Sequence, residues 1–163
     1  MGLKINRLGL VWIILGVLIS GCATSRPQDT ACTVAVWEVE NIGVRGAMAD
    51  TGGLMTARIM ETLQTSGKCS TIEREKLDLA LAELNLGASQ LADESTRLQI
   101  GRLAGANRMI FGGFQTLGGT MRLDLRMVDV STGAVIKTAS QTADGADIHQ
   151  WLQAAEKAAK EID

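Results

Sequence analysis

The 163-residue chain has no tyrosine, two phenylalanines, three tryptophans, one proline and one histidine. Of the tryptophans only Trp37 and Trp151 follow residue 21, and aromatics this scarce offer no platform on which bases or sugar rings could stack. The lone histidine, His149, leaves little from which to build a convergent set of titratable groups, and the chain is read as non-catalytic. Gly112-Gly113 and the Gly101/Gly105 pair complete neither a Gly-x-Gly-x-x-Gly pattern nor a Walker lysine, and read as close packing and a helix cap. No apolar run reaches the roughly 20 residues that a bilayer span needs. The longest near the start, residues 8–19, has twelve.

That short run has a different use. It follows Lys4 and Arg7 and leads into Leu18-Ile19-Ser20-Gly21-Cys22, the order of n-region, h-region and lipobox in a bacterial lipoprotein signal. Cleavage is expected after Gly21, with Cys22 acylated as the first mature residue; the alternative is a short anchor followed by an incidental cysteine. Residues 22–32 are then a short flexible tether. At about 3.3 to 3.6 Å per residue, the ten residues between Cys22 and Thr33 reach at most roughly 35 Å. Removing residues 1–21 leaves 142 residues, room for one domain, 33–163. Without Lys4 and Arg7 the 16 basic residues become 14 against 18 acidic, a net charge of −4, which excludes nucleic acid as a natural partner.

With Cys22 assigned to lipid, Cys32 and Cys69 remain as a pair in an oxidising compartment. They open the first two predicted strands, and a parallel β-α-β pairing would set those strand starts side by side. A disulfide is expected; the alternative is two unpaired small core residues.

Residues 33–40 are β-branched and largely apolar, as a central parallel strand would be. A glycine-rich connection, 41–53, leads to a helix ending near Ser66 with Met55, Ile59, Thr62 and Leu63 in one stripe. A short strand over 69–73 follows, then a helix over 73–86 carrying Leu77, Ala80, Leu81 and Leu84. A third helix is capped near Asp93 and buries Ile100, Leu103 and Ala104. Gly118-Gly119 and Ser131-Thr132-Gly133 are turn signatures joining three strands into a meander. In the middle strand Met121, Leu123, Leu125 and Met127 alternate with Arg122, Asp124 and Arg126, so one face is buried and the other wet. Residues 146–162 close the chain as an amphipathic helix. The expected fold is α/β (α+β), with helices packed on a mixed sheet in the order β-α-β-α-α-β-β-β-α. Asp144, Asp147 and His149 read as a helix start rather than a metal set, and the methionines after residue 21 read as core rather than a copper cluster. No metal or cofactor is expected beyond the lipid on Cys22. The candidate interaction surfaces are the 41–53 connection and the wet face of Arg122, Asp124 and Arg126.

The motifs over residues 34–41, 71–77, 81–87, 101–106, 110–113 and 125–133, in that order, resemble the CsgG family of curli assembly and transport lipoproteins. The resemblance implies a periplasmic α/β domain held by lipid at the outer membrane, often in homo-oligomeric rings. Ala23 after the lipidated cysteine fits the outer membrane rather than inner-membrane retention. Channel-forming members insert transmembrane hairpins, one after the strand matching 110–117; here that strand turns back at Gly118-Gly119, so this chain is not expected to form a pore itself. The resemblance therefore implies an assembly, scaffold or accessory subunit of an envelope or secretion complex, working with an envelope protein partner. The alternative is a regulator of a periplasmic peptidoglycan synthase, like the LpoB-type lipoproteins that activate penicillin-binding proteins and share a similar domain.

Overall fold

Four β-branched or small residues, Thr33–Val36, form strand β1 near the centre of a mixed sheet. The computed structural model describes residues 31–43, 51–84, 93–145 and 147–163. Cys22 with its lipobox, most of the glycine-rich connection and the 85–92 link lie outside the described residues. The remaining elements are β2 (Glu40–Asn41), α1 (Thr51–Ser66), β3 (Ser70–Thr71), α2 (Arg74–Leu84), α3 (Glu94–Leu103), β4 (Arg108–Leu117), β5 (Thr120–Asp129), β6 (Val135–Asp144) and α4 (Ile148–Ile162). Along the sheet the order is β3-β1-β4-β5-β6, with β2 also paired to β4. The first three pairings are parallel, and β4 to β6 form the antiparallel meander. Among the described residues no helix is long and apolar enough to cross a membrane.

The predicted strand 33–40 is broken. Val36 lies opposite Ile110 but Glu40 opposite Gly113, so three residues on one strand face two on the other, a bulge centred on Trp37–Val39. Helix α1 causes it: the Val39 N–H donates to Thr56 Oγ1 (2.9 Å) instead of joining the ladder, and the Thr56 hydroxyl donates to the Gly52 carbonyl (2.8 Å).

Both sheet faces are covered, unequally. On one, Val34, Val36, Ile110, Phe114 and Met121, Leu123, Leu125 and Met127 of β5 pack against Met55, Ile59 and Leu63 of α1 and Trp151, Ala155, Ala159 and Ile162 of α4. The alanines of α4 let it lie close to its neighbours. On the other, Ala35, Met109, Phe111 and Val128 pack against Leu77 and Ala80 of α2 and Ile100 of α3. Leu103, expected inside, is 52% exposed, because α3 ends there and turns away through Gly105 at φ +88°.

Cys32 and Cys69 are joined by a disulfide with Cα atoms 4.6 Å apart. The pairing of Thr33 with Ser70 sets the two cysteines beside each other, and the Ser70 N–H donates to the Cys32 carbonyl (2.8 Å). Asn107 fastens the same corner. Its amide oxygen accepts from the Thr33 N–H (2.9 Å) and its Nδ2 donates to the Ala31 carbonyl (2.9 Å).

The two turns are built as their glycines demand. Gly118 and Gly119 have φ of +58° and +84°, the doubly positive pair of a tight hairpin. In the β5–β6 turn, Asp129 Oδ1 accepts from the Ser131 hydroxyl and from the N–H groups of Ser131 (3.0 Å) and Thr132 (2.9 Å). The Ser131 hydroxyl is the largest cause holding this carboxyl down, to about 2 from 3.8, with Thr132 adding to it. A depressed carboxylate contributes stability that is present above its unfolded value and is lost as pH falls through the folded one. The stability difference between wild type and Asp129→Asn, followed by urea unfolding, is therefore expected to shrink as pH falls from 3.8 towards 2. A difference that stays constant across that window would remove Asp129 from the acid response.

Candidate interaction site

Period-two alternation sends Arg122, Asp124 and Arg126 to the face opposite α4, and the structure brings all three to one open area. Helices α2 and α3 cover the β1 and β4 side of this face and the end of β5 at Val128. What they leave is a groove of about 470 Å³ across β4, β5 and β6, with Phe111, Gly112 and Gly113 in its floor, Trp37, Ile42 and Arg97 on one side and Arg126, Thr138 and Ser140 on the other.

Each charge in the groove has a partner. Arg122 donates to Asp124 through Nε (2.9 Å to Oδ2) and Nη2 (2.8 Å to Oδ1), and the Ser140 hydroxyl donates to the same carboxylate. The Arg122 hydrogen bond is the largest cause holding the Asp124 carboxyl below its usual value; partial burial opposes it and Ser140 assists. Reciprocally, Asp124 raises the Arg122 guanidinium. Arg126 pairs with Glu94 at the start of α3 (2.7 Å) and lies over the Phe111 ring, 5.3 Å from its centroid. Arg97 pairs with Glu40 of β2 (2.7 Å) and lies over Trp37 at 5.4 Å; its side chain is only 16% exposed. Arg97 and Arg126 are thus each held by both a carboxylate and an aromatic ring. A Cβ on Gly113 would press on Ile42 at 3.3 Å, so the bare glycine is what lets Ile42 lie across the floor.

Sequence patterning found the β5 residues but not Glu40, Glu94, Arg97, Trp37 or Phe111. Gly112-Gly113 was the available signal, since adjacent glycines in a central strand mark close approach. The second expected surface, residues 41–53, lies largely outside the described residues. Beside the bulge a second hollow of about 380 Å³ holds Arg74 between Glu38 (3.0 Å) and Asp78 (3.5 Å). His149 is exposed in the first turn of α4, where its N–H donates to the capping Asp147 (2.9 Å), while Asp144 accepts from Thr120 (3.1 Å). Among the described residues no cluster of three His, Cys, Asp or Glu side chains could hold a metal ion. What the groove offers is a mixed, charge-compensated surface with a partly apolar floor, suited to a protein partner.

No characterised protein matches the chain by sequence. Solved structures share its fold: the LpoB C-terminal domain from Salmonella enterica has a TM-score of 0.59 at 18% identity, covering 70% of this chain and 83% of that one. A PelC dodecamer from Paraburkholderia phytofirmans gives 0.56 at 16% identity, covering 82% and 90%. A lipoprotein from Neisseria meningitidis gives 0.58 at 13% identity, covering 71% and 82%. The model of the curli production assembly/transport component CsgG matches residues 32–122, more than half of the 163. The chain belongs to the CsgG family.

Proposed function

We propose that this chain is a non-catalytic, lipid-anchored accessory or scaffold subunit of an envelope or secretion complex, attached through Cys22 to the periplasmic face of the outer membrane. Its groove over Phe111–Gly113 takes an envelope protein partner. The groove carries this reading: α2 and α3 leave one part of the sheet uncovered, and that part holds ring-stacked arginines. Membership of a family described as an assembly/transport component supports the accessory role, and the dodecamer of the similar PelC fold supports self-association. The two-residue return at Gly118-Gly119 leaves no inserted hairpin between β4 and β5, in keeping with a subunit that forms no pore by itself.

A photo-crosslinking side chain at Ile42, inside the groove and away from β6, is expected to capture one defined envelope protein in cells, while the same group at exposed Lys157 of α4 captures none. Arg122→Glu together with Arg126→Glu should abolish the capture with little loss of stability, since exposed ion pairs contribute about 0 to 1 kcal/mol each. Equal capture at both positions, or at neither, overturns the assignment. Capture of a peptidoglycan synthase would instead establish the LpoB-like regulator. Labelled palmitate should enter the wild-type chain and not Cys22→Ser.

A further inference from the structure

We infer that β6 is a self-pairing edge, and that two copies of this chain join through it as a symmetric antiparallel dimer. The inference rests on the self-association within the proposed function, not on the groove. Among the described residues β6 pairs only with β5, which makes it the outer strand of the meander. It is ten residues long, and the usual protections of an edge are confined to its start, where a register shift opposite Met127 and Val128 leaves Ile136 as an extra residue. No proline occurs in it, Lys137 is the only charge before its final residue, and Val135 and Ile136 stand 52% and 48% exposed at its start.

The hydrogen-bond phase of this edge is fixed. Leu117 and Thr120 flank the two-residue turn and close it, so Thr120 points its backbone groups at β4 and the odd residues of β5 point theirs at β6. The Gly145 N–H donating to the Gly119 carbonyl (2.7 Å) puts the same phase on β6. Lys137, Ala139, Gln141 and Ala143 are therefore bonded to β5, while Thr138, Ser140 and Thr142 turn their N–H and C=O groups outwards. A second β6 must meet these with its own outward groups. Even residues then face even residues, the two-fold axis runs perpendicular to the sheet, and each layer of the fold continues into the partner.

Charge selects among the allowed registers. Centring the axis on Ala139 sets Lys137, whose ammonium donates to the Asp163 carbonyl of its own chain (3.2 Å), opposite the partner's Gln141, whose side-chain amide donates to Glu161 (3.0 Å). Each copy thus brings a cation to the other's carboxylate. The next register, centred on Ser140, would instead oppose Ile136 with Asp144. The Ala139-centred dimer fuses the two open faces into one surface and places both Ala31 residues at one height along the axis, so that one membrane serves both tethers.

Light scattering on the full lipidated chain, in detergent micelles present in excess over protein, tests this. The wild type is expected at the mass of two chains. Thr142→Pro removes only an outward N–H and lies outside the groove; it is expected to run as one chain with an unchanged circular dichroism spectrum. Lys137→Glu should weaken association roughly tenfold, from two cross-strand pairs at about 0.2 to 1 kcal/mol each, and adding Gln141→Lys should restore it. A wild-type chain that stays single into the millimolar range overturns the inference. So does an oligomer that neither Thr142→Pro nor Lys137→Glu disturbs. If Thr142→Pro fails to fold, the Lys137 and Gln141 pair decides. Because none of these residues lines the groove, Ile42 capture would survive failure here.

Discussion

Replacing Cys32 and Cys69 together with serine is expected to lower the unfolding free energy by about 3 to 4 kcal/mol, the loop-closure entropy for a crosslink spanning this stretch of chain. The spanned sequence is 37 residues and contains all of α1, so the unfolded chain gains freedom over a large segment once the bridge is gone. In the folded state little compensates. Strand β3 has two residues, and beyond the bridge it is tied to β1 through the Ser70 and Ile72 N–H groups. Urea unfolding followed by circular dichroism gives the difference directly. A reductant should destabilise the wild type by a similar amount and leave the serine variant unmoved; a wild type indifferent to reductant would show that the bridge contributes nothing to stability.

Phe114→Ala should cost a comparable amount, about 3 to 5 kcal/mol, as transfer and cavity contributions add at a fully buried ring. Phe114 is 2% exposed and lies 5.9 Å, centroid to centroid, from Trp151. It is where β2, β4, β5, α1 and α4 meet: it pairs with Asn41 and Leu123 and sits close to Gly52. Against the roughly 5 to 15 kcal/mol of a typical domain, this approaches unfolding at growth temperature. Phe114→Leu keeps most of the volume and should cost clearly less. Equal losses for the two variants would mean that ring shape, rather than volume, governs the site.

The parts of the fold legible in the sequence are those set by local chemistry. Gly118-Gly119 and Gly133 adopt the positive φ that the turns required, Asp93 and Asp147 cap α3 and α4, and the Trp151, Ala155, Ala159 and Ile162 stripe faces the core. The break after Val36 was not legible, because its cause is a hydroxyl on another element: Thr56 takes the Val39 N–H that the ladder would have used. Burial of Leu103 was wrongly expected because helical periodicity does not say where the neighbouring sheet ends. The groove was half legible for a related reason. Alternation on β5 says which side Arg122, Asp124 and Arg126 occupy, but Glu94 and Arg97 come from α3 and Glu40 from β2, and no spacing rule links them.

The corner at residues 31–33 also settles how the domain bears a load. A pull on the chain before Ala31 that is directed along β1 acts between two parallel neighbours, so the bonds to β3 and β4 are loaded in shear and resist together instead of unzipping singly. The disulfide passes part of that force to Cys69 and so to the end of α1, and Asn107 passes part to the start of β4. Tension arriving at Ala31 is thus spread over three strands and a helix at the first residue of the fold. Such a mount suits a domain that must stay folded under load at its N-terminal end.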